Sequence, residues 1–296
     1  AMNPQHQFGA DVIARSNYVL EHGGEEMKQV VRKALNQLIG QACQEAGVRR
    51  EEILQAAIVG NTCMHHLFLG ISPKSLVLAP YVPAVKDGMI LEAEECGLRI
   101  AKGGKLLLLP NIAGFVGGDT VGCMLSVAFD RLEDMTLMID IGTNGELVMG
   151  NRHKMVTTST AAGPAFEGAK IECGMRGARG AISHITVQDG KLDLEVIEGV
   201  KPVGICGSGL IDGIAFMIRY GILDSYGSLC DPEDLTGEFE KTLAWRLKER
   251  DGKPVFVLVP GEETASGEDI YISQKDIREV QLAKGAIAAG IRIMAE

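Results

Sequence analysis

The chain has 296 residues, of which 46 % are hydrophobic and 23 % charged, so it can bury a sizeable core and form two lobes. Its formal net charge of −10 argues against a surface for nucleic acid or for an anionic membrane, although local N–H groups and a metal could still hold a nucleotide. No apolar stretch reaches the roughly 18 residues that span a bilayer, and the amino end, AMNPQHQFGAD, has no signal-peptide pattern. We therefore expect a cytoplasmic protein.

The first half of the sequence predicts helices alternating with parallel strands. Glu25–Cys43 repeats apolar side chains at steps of three and four residues, which indicates an amphipathic helix. Leu54–Asn61 and Lys105–Pro110 are short apolar runs, each followed by a helical stretch, and this pattern predicts buried parallel strands. Gly117–Thr120 then opens a further helix.

The middle of the sequence predicts an antiparallel meander. Strands are expected at Thr136–Asp140, Glu146–Gly150 and Lys154–Thr160, with Asn144-Gly145 as a tight primed turn in which both residues have positive φ. The glycine-rich tract Ala161–Ile182 follows.

The remainder predicts a second hairpin, a helix after a glycine turn, a helical arm, two strands and a last helix. The last helix is expected to begin at the N-cap pair Ser273 and Asp276. The helix that follows the glycine turn can present its amino end to an anion. The predicted ranges, in chain order, are Ile185–Val196 around Asp189-Gly190, Gly204–Leu223, Asp234–Arg250, Val255–Val259, Asp269–Ile272 and Ser273–Glu296.

The cysteines give no sign of a metal centre. They stand singly, without a Cys-x-x-Cys pair, which is typical of reduced, buried thiols rather than of zinc or iron-sulfur ligands. His65 and His66 are adjacent, so on a helix they point to different sides. The seven cysteines are Cys43, Cys63, Cys96, Cys123, Cys173, Cys206 and Cys230.

The stretch IDIGTNGELVMG, residues 139–150, allows two interpretations. A plain hairpin explains the Asn-Gly pair, but it gives no use for Asp140, a half-buried carboxylate at the end of a strand. Alternatively, the backbone N–H groups of residues 142–145 and the Thr143 hydroxyl could form a cradle for a phosphate oxygen. The residues by themselves leave both interpretations open.

Three strands joined by tight turns and followed by helices resemble the unit of the superfamily of acetate and sugar kinases, actin and heat-shock chaperones. More specifically, the chain resembles the reductive activators of corrinoid proteins, iron-sulfur ATPases that return oxidised cobalamin to Co(I). The matching blocks cover nearly the whole chain: NPQHQFGADVIARS, IVGNTCMHHLFLG, PNIAGFVGGDT, DIGTNGELVMGN, STAAGPAFEGAKIECGMRGARGAI, GICGSGLID and AKGAIAAGI.

The resemblance implies an α/β, actin-like ATPase fold of two ribonuclease-H-like lobes, with mixed sheets flanked by helices. We expect the first lobe at residues 1–133, without its amino-terminal hairpin, and the second at residues 134–296, with the phosphate turn and the inserted helical arm.

The resemblance also implies a site for ATP and Mg²⁺. Asp140 would orient a metal-bound water, and Asp119 would polarise the attacking water, with a simple N-cap as its structural alternative. The residues expected to contact nucleotide are Gly142, Thr143, Asn144 and Gly145, with weaker assignments for Gly207, Ser208, Gly209 and Asn61, the last at the end of a strand.

Full activators of this family also carry a ferredoxin domain with a 2Fe-2S cluster, and no counterpart is visible here. We therefore interpret the chain as a fragment, with Ala1-Met2 as a remnant of cloning. The implied partner is a corrinoid protein, and a homodimer is a further candidate assembly. The implied function is ATP-dependent reduction of cob(II)alamin to cob(I)alamin in a methyltransferase or O-demethylase system. The alternatives are a small-molecule kinase of the same superfamily and a non-catalytic interaction module.

Overall fold

The computed structural model describes residues 3–9, 11–188 and 190–296. Ala1 and Met2, and the Asp189 of the predicted second hairpin, lie outside the described residues. The chain divides into two compact units. Unit 1 comprises Ala1–Met138 and Val148–Ser159, and unit 2 comprises Ile139–Leu147 and Thr160–Glu296. The sequence-based division into lobes at residues 133 and 134 stays a prediction.

Unit 1 begins with helices and a small mixed sheet. The sheet has the order β1-β3-β2, in which β1 is parallel and β2 antiparallel to the central strand β3. The elements are α1 (Val12–His22), α2 (Glu25–Ala46), β1 (Gln55–Ile58), α3 (Thr62–Leu69), α4 (Lys74–Val77), β2 (Met89–Glu92), β3 (Lys105–Leu108) and α5 (Gly118–Ser126).

The predicted parallel pair is therefore confirmed, but only one of its strands is buried. Leu106 and Leu108 of β3 are buried, whereas β1 alternates between exposed and half-buried residues. The prediction of a buried β1 was wrong because, within this three-stranded sheet, β1 is an edge strand, and an apolar run does not distinguish edge from centre.

The next three strands have the order of the predicted meander: β4 (Thr136–Ile141), β5 (Gly145–Gly150) and β6 (Met155–Thr160). Among the described residues with positive φ, neither Asn144 nor Gly145 occurs. The loop between β4 and β5 is thus not the predicted primed turn. Instead, it is closed by a hydrogen bond from Gly142 N–H to the Asn144 carbonyl, 2.9 Å long.

Unit 2 builds its core from two further sheets and two long helices. The sheets have the orders β8-β7-β9 and β10-β11-β12, and the first is mixed because β7 is antiparallel to β8 and parallel to β9. The elements are β7 (Ala181–Gln188), β8 (Lys191–Val196), β9 (Gly204–Ile205), α6 (Gly207–Arg219), α7 (Glu238–Leu243), β10 (Leu247–Arg250), β11 (Lys253–Val259), β12 (Ile270–Ser273) and α8 (Gln274–Ala295).

The predicted helical arm is helical only in part. Leu247–Arg250 is a strand that pairs antiparallel with β11, because the Asp251-Gly252 turn, in which both residues have positive φ, folds it back on that strand. The core of unit 2 joins these sheets to α6 and α8 through fully buried side chains such as Phe256, Met217 and Ile272. Each such side chain stabilises the unit by about 1.5–3 kcal/mol. The predicted cap of α8 is confirmed, since Ser273 and Asp276 form a capping box.

Candidate functional site

The loop between β4 and β5 binds the carboxylate of a glutamate in the same unit. Thr143 donates two hydrogen bonds to Glu167 Oε1, one from its backbone N–H at 2.8 Å and one from its hydroxyl at 2.6 Å. One oxygen of the Glu167 carboxylate therefore takes the two donors that a phosphate oxygen would take. Glu167 is exposed, so its carboxylate would be solvated if another anion took its place. Sequence reasoning missed Glu167, because 24 residues separate it from Thr143.

The two glycines of this loop differ in how closely neighbouring atoms surround them. A Cβ built on Gly142 would lie 3.6 Å from Glu167 Oε1, an ordinary contact, so neighbouring atoms do not require glycine there. A Cβ on Gly145 would lie 2.7 Å from Thr160 Oγ1 and 3.2 Å from Ile287 on α8. Packing therefore accounts for Gly145, whereas at Gly142 a side chain would make only ordinary contact with the Glu167 carboxylate that the Thr143 donors bind.

Asp140 precedes this loop on β4 and is half-buried. Its carboxylate makes no hydrogen bond or ion pair with any residue in the described part of the chain. An unpaired, half-buried carboxylate gains free energy from a cation or a metal-bound water. No group of three or more His, Cys, Asp or Glu side chains suited to a metal occurs among the described residues. Asp140 could thus contribute to a magnesium site whose other ligands are phosphate oxygens and waters, as is usual for this ion.

A short 3-10 helix, Pro164–Glu167, connects the loop to the amino end of α6. Glu167 binds Thr143 at one side, and the Phe166 carbonyl lies so close to Gly207 that a Cβ there would approach it to 2.1 Å. The structure therefore brings the predicted turn and the predicted Gly207-Ser208-Gly209 segment to the same 3-10 helix. Sequence patterns alone did not indicate this connection.

The amino end of α6 has backbone donors without a side-chain cap, since its N-cap residue Cys206 makes no capping hydrogen bond. Such donors suit an anion. The Ser208 hydroxyl, however, donates to the Ser183 carbonyl at 2.8 Å, and a Cβ on Gly209 would lie 2.2 Å from the Ile182 carbonyl. Contacts with β7 thus account for the Ser208 hydroxyl and for Gly209.

Asn61 and Asp119 lie together in unit 1. The backbone at Gly117 packs on Asn61, where a Cβ would approach the Asn61 Cα to 2.7 Å, and Asp119 N–H donates to the Gly60 carbonyl at 3.2 Å. Glycine at 117 is therefore required for the close approach of the amino ends of α3 and α5.

The strand-end position expected for Asn61 was wrong, and the N-cap that was the structural alternative for Asp119 is not found. Asn61 does not end a strand, because β1 stops at Ile58; it is the N-cap of α3, and its side chain accepts from Met64 N–H at 2.9 Å. Asp119 is not the N-cap of α5, which is Gly117. It lies in the first turn, where its carboxylate accepts from Thr120 N–H at 2.8 Å and where the helix dipole favours a negative charge.

His65 and His66 on α3 are both buried. Burial lowers the pKa of both rings below the ordinary histidine value. His66 Nδ1 donates to the Thr62 carbonyl at 2.7 Å, and its Nε2 accepts from Ala84 N–H at 3.0 Å. The described cysteines are all free thiols, and burial raises the pKa of Cys63, Cys96, Cys173 and Cys230.

No helix among the described residues is both long enough and apolar enough to cross a bilayer.

Comparison with known families matches both parts of the chain. The model for the C-terminal domain of RACo, the ASKHA domain, matches residues 134–296, and the model for the RACo middle region matches residues 1–132.

Individual relatives agree with these matches. The chain is 39 % identical over 303 residues to the corrinoid activation enzyme RamQ of Eubacterium limosum, covering 100 % of this chain and 49 % of that protein. It is 25 % identical over 312 residues to the [Co(II) methylated amine-specific corrinoid protein] reductase of Methanosarcina barkeri, covering 95 % and 52 %. A solved structure, a reductive activator for corrinoid, iron-sulfur protein, superposes with a TM-score of 0.82 at 40 % identity over 99 % of this chain and 46 % of that one. The chain thus spans about half the length of the relatives it matches.

Proposed function

Since the chain belongs to the family of reductive activators of corrinoid proteins and has its actin-like ATPase fold, we propose that it supplies most of the ATP-binding and partner-docking core of such an activator. In this proposal, hydrolysis of ATP to ADP and phosphate accompanies the one-electron reduction of cob(II)alamin to cob(I)alamin in the partner. The electron comes from a separate low-potential donor. The protein acts in the cytoplasm of a cell with a corrinoid-dependent methyltransferase or O-demethylase.

The observation that carries the proposal is the pair of hydrogen bonds from Thr143 to Glu167 Oε1. A loop that already binds an anionic oxygen with an N–H and a hydroxyl has the donors that a nucleotide phosphate needs. We assign Gly142, Thr143 and Asn144 to the phosphate contact, and the uncapped amino end of α6 to a second one.

Two carboxylates have proposed catalytic roles. Asp140 has no partner for its charge among the residues that the structure describes, so it is suited to orient a water held by magnesium. Magnesium, when bound with ATP, would neutralise phosphate charge. Asp119 is the proposed general base for the attacking water, a role that requires a carboxylate on a rigid element such as the first turn of α5.

ATP can drive this step only if it binds two conformations of the protein with different affinities, since a ligand shifts a conformational equilibrium in no other way. Closure of the protein on ATP can supply that difference and can favour the conformation in which cobalt accepts an electron.

The test uses this chain, a Co(II) corrinoid protein and a low-potential chemical reductant, with and without ATP. We expect the visible spectrum of Co(I) to appear faster with ATP, and phosphate release to depend on the partner. Phosphorylation of acetate or a sugar, without any effect on the corrinoid, would instead support a small-molecule kinase. Partner binding that neither requires nor consumes ATP would support an interaction module.

A further inference from the structure

A pocket in unit 1 is lined by four cationic side chains and has no acidic side chain in its lining. It has a volume of about 520 Å³, within the roughly 300–1,000 Å³ of small-molecule sites. The residues lining it are Gln29, Arg32, Lys33, Asn36, Gln37, Arg50, Gly97 and Arg99. Four positive charges around one pocket are unexpected in a chain of net charge −10, since like charges repel unless an anion joins them.

Asn36 on α2 builds this pocket by connecting three segments of the chain. Its side chain donates to the Gly97 carbonyl and accepts from Arg99 N–H, each at 2.7 Å. Its own carbonyl accepts from Arg50 Nη2, also at 2.7 Å. The loop that carries Arg99 and the segment that carries Arg50 are thereby fixed against α2. The backbone that carries Arg99 and the side chain of Arg50 are thus positioned before any ligand arrives, which lowers the cost of binding.

The four cations differ in what they already bind. Arg50 is committed to backbone carbonyls, and Arg32 donates through Nη2 to the Phe68 carbonyl at 2.9 Å. Arg32 Nε, however, is buried without a hydrogen-bond partner. The side chains of Lys33 and Arg99 make no hydrogen bond or ion pair within the described residues, and both are exposed. One carboxylate next to the lining is that of Glu25, which accepts from Gln29 Nε2 at 3.1 Å, pairs with Lys28 and interacts electrostatically with Arg32.

We infer that this pocket binds a small molecule with two or more phosphate groups. Arginine forks match the spacing of phosphate oxygens, and the volume exceeds what a single phosphate fills. Lys33 and Arg99 supply the direct contacts, while Arg32 and Arg50 add positive charge from the pocket wall. This site shares no residue with the proposed ATP contact in unit 2.

The test is calorimetric titration of the whole chain with inorganic pyrophosphate at low ionic strength. It is performed in a Thr143→Ala background, so that the loop of unit 2 does not contribute. We expect Lys33→Gln with Arg99→Gln to weaken binding about 100-fold, because each removes a charge-assisted hydrogen bond worth about tenfold in affinity. Both side chains are exposed and unbonded, so the fold and the melting temperature should be unchanged.

Lys74→Gln with Lys102→Gln is the matched control, since it removes the same charge from exposed lysines of unit 1 outside the pocket. We expect this control to bind pyrophosphate within about twofold of the parent. In the pocket variant, replacing Arg99→Gln by Arg99→Lys should partly restore binding. Three outcomes overturn the inference: no binding up to about 1 mM pyrophosphate, equal losses in the pocket and control variants, or tighter binding of citrate than of pyrophosphate.

Discussion

Glu167 should compete with ATP for Thr143, and its removal should tighten ATP binding. In the structure, its carboxylate accepts the two Thr143 donors at 2.8 and 2.6 Å, so a phosphate oxygen has to displace it. Each hydrogen bond contributes about 0.5–1.5 kcal/mol net. The side chain is exposed, and its release restores rotamer entropy, which offsets part of that sum. A net penalty of about 0.7–1.4 kcal/mol remains, or about three- to tenfold in affinity.

The assay is calorimetric titration with Mg-ATP of the wild type, Glu167→Ala and Glu167→Gln. We expect Glu167→Ala to bind about three- to tenfold tighter, with Glu167→Gln in between because the amide oxygen still accepts without charge. Glu195→Ala is the control, since it removes an exposed glutamate of β8 from unit 2. Unchanged or weaker ATP binding in Glu167→Ala would refute the reasoning. It would mean either that Thr143 does not contact phosphate or that Glu167 itself helps to hold the metal.

Three further predictions concern single side chains. Asp140→Asn should abolish ATP hydrolysis without a change in melting temperature, because only the charge is lost; unchanged phosphate release would return residues 139–150 to the plain-hairpin interpretation. Asp119→Ala should slow ATP hydrolysis about 100-fold or more without changing the affinity for ATP. If the variant instead loses only about 1 kcal/mol of stability and hydrolyses ATP normally, Asp119 is a purely structural residue of the first turn. Burial lowers the pKa of His66, so the unfolded chain takes up a proton that the folded chain does not as pH falls below about 6.5. The free energy of unfolding should therefore decline there by up to about 1.4 kcal/mol per pH unit for this residue, and urea unfolding should show a shallower decline in His66→Gln; equal slopes would contradict the assignment.

Local patterns were enough to predict most helices and strands. The spacing of apolar residues gave α2, and the Ser273–Asp276 pair marked the start of α8, because both signals depend on neighbours within one or two helical turns. The same reasoning failed at Leu247–Arg250, a strand that exists because it pairs with β11. Pairing partners determine such short strands more than their own composition does.

The candidate site was only partly predictable for the same reason. The Gly-Thr-Asn segment was recognised as a possible anion contact from its own residues, but Glu167 could not be connected to it. That contact depends on how the 3-10 helix Pro164–Glu167 packs between the loop and Gly207. Asn61 was recognised as notable, yet its observed hydrogen bond is that of an N-cap. A polar residue after an apolar run predicts either a cap or a ligand, and only tertiary structure distinguishes them.

The net charge argues against nucleic acid as a partner, but it does not argue against small anionic ligands. At −10, the average surface repels nucleic acid, whose affinity depends on many phosphate contacts at once. A nucleotide or a diphosphate contacts only a small patch of the surface. The sign of the electrostatic potential at that patch is set by the nearest charged groups. Thr143 meets an anion through neutral donors, whereas the pocket of Lys33 and Arg99 offers full charges. Salt should therefore weaken pyrophosphate binding in unit 1 far more than ATP binding at Thr143, since screening acts on charged side chains more than on short hydrogen bonds.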